Sequence, residues 1–260
     1  MHLCAAANLV PLLQEENGLN PKDNTAIEFL LGAFISFDII SCASTRSSPF
    51  LTLDHEAILE KHEINLQNII GCENWVMILI LEISKLDKWK KDTEKSHKLS
   101  VLELVKRGSQ IENILRKNLD KIDYILPDKF KEDPRSKITE IFALSALTYL
   151  YVVISGPHPE LKEIKENVGK TITAFNNLND VRLLRNLVWP FCISGCLALD
   201  EQQTFFRQLI SKADVTSMTL GTCMEAFKVV EECWMERKTC SCSFDWVSAM
   251  NKRGFWVLLW

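Results

Sequence analysis

Proline and glycine are scarce here, 8 and 9 among 260 residues. An all-β chain needs turn residues at each strand connection, so this scarcity points away from one. No stretch alternates apolar and polar residues for long enough to make a strand. Charge of one sign is lacking too. Lys and Arg number 30 against 34 Asp and Glu, a net charge of −4, which leaves no basic excess to grip nucleic acid. The start, Met1-His-Leu-Cys-Ala-Ala-Ala, has neither the basic lead nor the apolar stretch of a secretory signal. The longest apolar runs, 141–154 and 187–199, fall short of the roughly 20 residues that cross a bilayer, so no membrane span is expected. Chemical motifs are missing as well. There is no HExxH, no Gly-rich phosphate loop, no aspartate-rich pair on an apolar helix, and no order of Ser, Cys and His that suggests a nucleophile with its base. No catalytic residue, metal or cofactor is expected.

What the chain does have is helical periodicity and enough apolar residues, 47%, for a large core. The expectation is an all-α fold: one globular multi-helix domain over residues 1–260, with roughly ten helices around a kinked central one. Residues 2–15 have a helical look. A helix is expected from Thr25, with Glu28 completing a capping box, then a polar loop over 41–49 and a short helix over 55–62. Another helix runs from 71 to near 90, with 87–98 read as a solvated charged break. Ser100 and Glu103 form a second capping box. Asp133 and Pro134 open a strongly apolar helix that Gly156-Pro157 stops. Further helices are expected from Pro159 to 176, over 221–238 and over 244–251. The nine cysteines are an odd set without regular spacing, which implies free thiols in a reducing compartment.

The stretch 187–199 is apolar on every side and is bracketed by Arg185 and Asp200, so it reads as a buried core helix. Pro190 inside it is expected to kink it. Asp200 is expected to cap the next helix, with Gln203 at the reciprocal position. A kink and a bare Gly195 invite an apolar pocket, and the candidate ligand-binding residues are Trp189, Phe191, Cys192, Cys196, Phe205 and Phe206. The alternative is a filled core, the default for protein interiors. Cys192 and Cys196 share a helix face and suit half a zinc site, but packing as small hydrophobes is preferred. Cys240-Ser-Cys242, with Cys233 upstream, is a weak metal or redox hint. Asp38 is a lone charge inside Phe34-Ile-Ser-Phe-Asp-Ile-Ile, and it must find a salt bridge or backbone hydrogen bonds in the core.

Several blocks go beyond this pattern reading. They are His2-Leu-Cys-Ala-Ala-Ala, Phe37-Asp-Ile-Ile-Ser, Ile70-Gly-Cys-Glu-Asn-Trp-Val-Met, Leu187-Val-Trp-Pro-Phe-Cys-Ile-Ser-Gly-Cys-Leu-Ala, Gln203-Thr-Phe-Phe-Arg, Glu231-Glu-Cys-Trp and Asp245-Trp-Val-Ser-Ala-Met. In this order they resemble the C-terminal regulatory domain of fungal-specific zinc-cluster transcription factors, in the branch of sterol-responsive and developmental regulators. The resemblance implies a nuclear regulatory domain that senses an apolar small molecule in some members. In others it forms a homodimer or contacts a transcriptional co-regulator. The family's DNA-binding module is a six-cysteine zinc cluster with a repeated C-x2-C-x6-C pattern, which these cysteines do not match. The chain is therefore expected to start partway into the regulatory domain and to make no direct contact with nucleic acid. The alternative reading is a stand-alone binding protein for a lipid-like small molecule. An isoprenoid-type all-α enzyme is set aside because its metal-binding carboxylate clusters are missing.

Overall fold

In the computed structural model, residues 21–51, 53–124, 133–216, 221–239, 244–254 and 256–257 are described, and among them ten α-helices and two 3-10 turns occur without a strand. The all-α expectation holds. The expected helix over 2–15 and the Cys240–Cys242 pair lie outside the described residues.

Helix α1 (Pro21–Thr45) starts a turn before Thr25, with proline at its first position, where a missing N–H costs nothing. It also runs through half of the expected 41–49 loop. Its hydroxyl residues stay helical by bonding back one turn, Ser36 Oγ to Gly32 O at 2.8 Å and Thr45 Oγ1 to Ser41 O at 2.7 Å. The chain then turns at Arg46, whose φ of 52° is left-handed. Helix α2 (His55–Lys61) is capped by Asp54, which accepts from Ala57 N at 3.1 Å. After a 3-10 turn (Leu66–Asn68), α3 (Asn74–Lys95) continues straight through the expected charged break. Helix α4 (Val101–Tyr124) has the expected cap, Ser100 Oγ accepting from Glu103 N at 3.3 Å.

Helix α5 (Pro134–Ser155) begins and ends where the sequence punctuates it. Asp133 Oδ1 accepts from Arg135 N at 3.0 Å, and Gly156 leaves the helix at φ 90°. α5 is buried nearly all round, with α3, α4, α6 and α7 packed against it. Gly108 lets α4 come close, because a Cβ there would overlap the Ile154 side chain. By length and composition, Thr25–Thr45 and Pro134–Ser155 are both apolar enough to cross a membrane, where counting unbroken apolar runs leads one to expect none. Arg135, Lys137 and Glu140 cut the apolar run short at its start, but they belong to the same helix, which makes the helix longer than the run. In this fold 83% of the α5 window is buried inside the protein.

Helix α6 (Lys162–Asn176) starts three residues after Pro159. A 3-10 turn (Val181–Asn186) leads into α7 (Val188–Cys196), followed by α8 (Asp200–Thr216), α9 (Gly221–Thr239) and α10 (Trp246–Arg253). Two local expectations need correction. Pro190 stands in the first turn of α7, where its absent N–H would have had no intrahelical partner, so it helps start the helix and does not kink its interior. At the start of α8 the reciprocal bond comes from Gln202, whose Oε1 accepts from Leu199 N at 3.0 Å, while Gln203 donates to Asp200 Oδ1 at 2.9 Å.

Candidate functional site

Helix α7 lies among α5, α8 and α9. Its nine residues are all buried, because no face of so apolar a segment can meet water cheaply. Its ring contacts divide the candidate residues between two sides. Trp189 turns to α5, stacked on Phe142 with centroids 6.0 Å apart and meeting Tyr149 edge-on at 6.2 Å. Phe191 turns to α8 and α9, with Phe206 at 5.5 Å and Phe227 at 6.3 Å, and Phe205 continues that row at 5.3 Å from Phe206. Phe205 is half-buried and the other five candidates are fully buried.

The bare patch expected at Gly195 is filled. A Cβ built there would lie 3.0 Å from Val230 Cγ2 and 3.3 Å from Phe206 Cδ1. The last carbonyls of α7, which a short helix leaves open, are taken by α9. Trp234 Nε1 donates to Gly195 O at 2.8 Å, and Arg237 donates to Cys196 O and to Ala198 O. Cys192 Sγ and Cys196 Sγ are 4.0 Å apart. Burial first, and then the neighbouring thiols, hold Cys196 and Cys233 well above the ordinary thiol range, so both sit as neutral S–H groups. Among the described residues no group of three or more His, Cys, Asp or Glu is placed to hold a metal ion. One polar atom in the α7 cluster is unspent: the Trp189 indole N–H is buried without a hydrogen-bond partner.

Two buried polar networks brace the fold, one joining α1 to α2 and one reaching α3. Asp38 does what a lone charge in an apolar run must do. Its Oδ1 accepts from Phe50 N at 2.7 Å, and its Oδ2 accepts from Leu51 N at 3.1 Å and pairs with His55 Nε2 at 2.8 Å. The other site was not legible. Arg46 donates in parallel to both oxygens of Asp87 and, through Nη1, to Asp245 Oδ2 at 2.6 Å, with its guanidinium 5.8 Å from the centre of the Trp246 ring. Burial alone would lower the Arg46 pKa, but the two carboxylates outweigh it and raise it.

A cleft of about 450 Å³ opens between α4, α5 and α6. Leu119, Leu144 and Leu147 give it an apolar floor, with Arg116, Asn167 and Lys170 around it. The sequence carries no signal for it, since its residues come from three helices at unrelated spacings.

These features define an all-α, densely packed domain built around aromatic and ionic contacts. The chain belongs to the family described as the fungal specific transcription factor domain, whose model matches residues 1–260. It is 37% identical over 86% of its length to the trichothecene biosynthesis transcription regulator TRI10 of Trichoderma arundinaceum, covering 51% of that protein. With the regulator of the same name from Fusarium sporotrichioides it shares 32% identity over 95% of its length and 58% of the relative's. The ustiloxin B cluster transcription factor ustR of Aspergillus flavus is 27% identical over 85% of the chain and 40% of its own length. The chain thus spans about half the length of the first two relatives. No solved structure matches it.

Proposed function

We propose that this chain works in the nucleus as the regulatory domain of a transcription factor that controls a biosynthetic gene cluster, and that it is not an enzyme. One observation carries the reading: the family match spans residues 1–260, and the relatives it aligns with are named transcription regulators of biosynthetic clusters. The whole span then forms one domain. With a net charge of −4 it makes no direct contact with nucleic acid, and it acts through a second copy of itself or a transcriptional co-regulator. The burial of α5 supports a role within a globular fold and not across a membrane. The test fuses residues 1–260 to a heterologous DNA-binding domain in a fungal reporter strain. A change in reporter output over the DNA-binding domain alone is expected, and an unchanged output overturns the proposal.

Ligand sensing at Trp189, Phe191, Cys192, Cys196, Phe205 and Phe206 is supported by the unspent indole N–H of Trp189. Since even a Cβ at Gly195 would crowd Val230 and Phe206, an apolar ligand enters there only by displacing α8 or α9 side chains.

A further inference from the structure

We propose that the cleft between α4, α5 and α6 binds a compact, neutral, apolar molecule that carries a hydrogen-bond donor. The proposal rests on the regulatory reading for its purpose and on the following geometry for its chemistry. The cleft volume of about 450 Å³ suits a small organic molecule. Its leucine floor favours apolar surface. Asn167 sets the polar requirement. Its Nδ2 donates to Leu144 O at 2.5 Å and to Thr148 Oγ1 at 2.8 Å. Both partners are acceptors, so the amide orientation is fixed and Oδ1 is the end left for the cleft. That residue is only 5% exposed, and both of its side-chain hydrogen bonds leave from Nδ2. Oδ1 is not among the fully buried unpartnered atoms, so it is an acceptor open to the cleft, where an O–H or N–H from a ligand can take the place of water.

The charges around the cleft argue for neutrality. Arg116 and Lys170 are balanced by Asp120 and Glu140. Arg116 is also held in place, donating to Glu112 Oε1 at 2.8 Å and to Tyr151 Oη at 2.7 Å, so it does not swing to close on an anion. Leu144 and Leu147 belong to α5, and Phe142 of the same helix stacks on Trp189 of α7.

The test uses the full chain and two fluorescent probes that share one ring system. N-phenylnaphthylamine is neutral, apolar and carries one N–H; anilinonaphthalene sulfonate adds an anionic group. Saturable binding of the neutral probe at one site is expected, with the sulfonate weaker by roughly tenfold. Thr173 lies on the exposed rim, so Thr173→Trp should fill the cleft, weaken the neutral probe by roughly tenfold or more, and leave the circular dichroism melt unchanged. If that variant melts early, Lys170→Trp on the same exposed rim takes its place. No saturable binding, a sulfonate bound as well as the neutral probe, or folded rim variants that bind like the parent would each overturn the proposal. A fusion that regulates its reporter while the neutral probe fails to bind sinks the cleft alone; a bound probe with a silent fusion sinks the regulatory reading.

Discussion

Arg46 and Asp87, 41 positions apart, meet fork to fork, Nε to Oδ2 at 3.0 Å and Nη2 to Oδ1 at 2.6 Å. Lys91 adds a second cation, 2.8 Å from Asp87 Oδ2, and also donates to the Arg46 carbonyl at 2.8 Å. Asp245 sits at the cap of α10, so the end of α1, the middle of α3 and the start of α10 are tied at one guanidinium. The left-handed φ of 52° at Arg46 is a strained backbone, and this set of bonds holds it.

Removing the guanidinium should therefore be severe. Arg46→Ala leaves the Asp87 carboxylate, 1% exposed, with Lys91 alone, and a loss of about 3–5 kcal/mol is expected in urea denaturation. Arg46→Lys should recover little, because an ammonium has no planar fork. A loss near zero for Arg46→Ala would show that the network adds nothing to stability.

Asp38 ties Phe50 and Leu51 to α1. Hydrogen exchange should find the Phe50 and Leu51 amides slow in the native protein, since both donate to its carboxylate. In Asp38→Ala those two amides should exchange fast while α5 stays protected, with a loss of about 1–3 kcal/mol for each group left unpaired. Unchanged exchange at both amides would place the anchor elsewhere.

The α7 cluster should respond as a packed core. Trp189→Ala should cost about 3–5 kcal/mol. Gly195→Leu should overpack Val230 and Phe206 and cost roughly 1–3 kcal/mol. A Gly195→Leu protein that melts with the parent would reveal free space there.

Alkaline pH should loosen the fold. Burial pushes Cys42 and Cys223 from 9.0 up to about 12, and burial also raises Cys72, Cys196 and Cys233 well above 9.0. Above pH 9.0 the unfolded chain ionises these thiols and the folded chain does not. The unfolded state then binds fewer protons, so this stability is complete below pH 9.0 and is lost as pH rises toward 12. Thermal melts on either side of pH 9 should show a falling Tm. A Tm that is flat up to about pH 11 would contradict the thiol account.

Much of the fold was readable because some elements carry their own signals. Asp133, Pro134 and Gly156 mark both ends of α5, and Asp38 stands out as one charge among apolar neighbours. Asp87 does not stand out. It lies in a Lys-rich stretch that reads as solvated, and the outer face of α3 does carry exposed pairs such as Lys88–Asp92. Only a partner remote in sequence buries Asp87. The unbroken apolarity of 187–199 conceals where α7 begins, which depends on hydrogen bonds such as Phe191 N to Leu187 O at 2.9 Å. The cleft depends on how α4 and α6 lie across α5, a relation that no local pattern encodes.

The surroundings of α5 also bear on how the protein is made. Translation delivers α5 well before Trp189 and Trp246, the rings that flank Tyr149, with centroids 6.2 and 5.7 Å away. The Trp246 indole N–H, in turn, donates to Ser44 O across 202 positions. A nascent chain that has reached only α6 can lay α3, α4 and α6 against α5 but still lacks α7, so the side of α5 that meets Trp189 stays open. Such a chain needs a chaperone while the ribosome finishes, and release of a product cut short after α6 should lead to aggregation, because the last helices to emerge close the core.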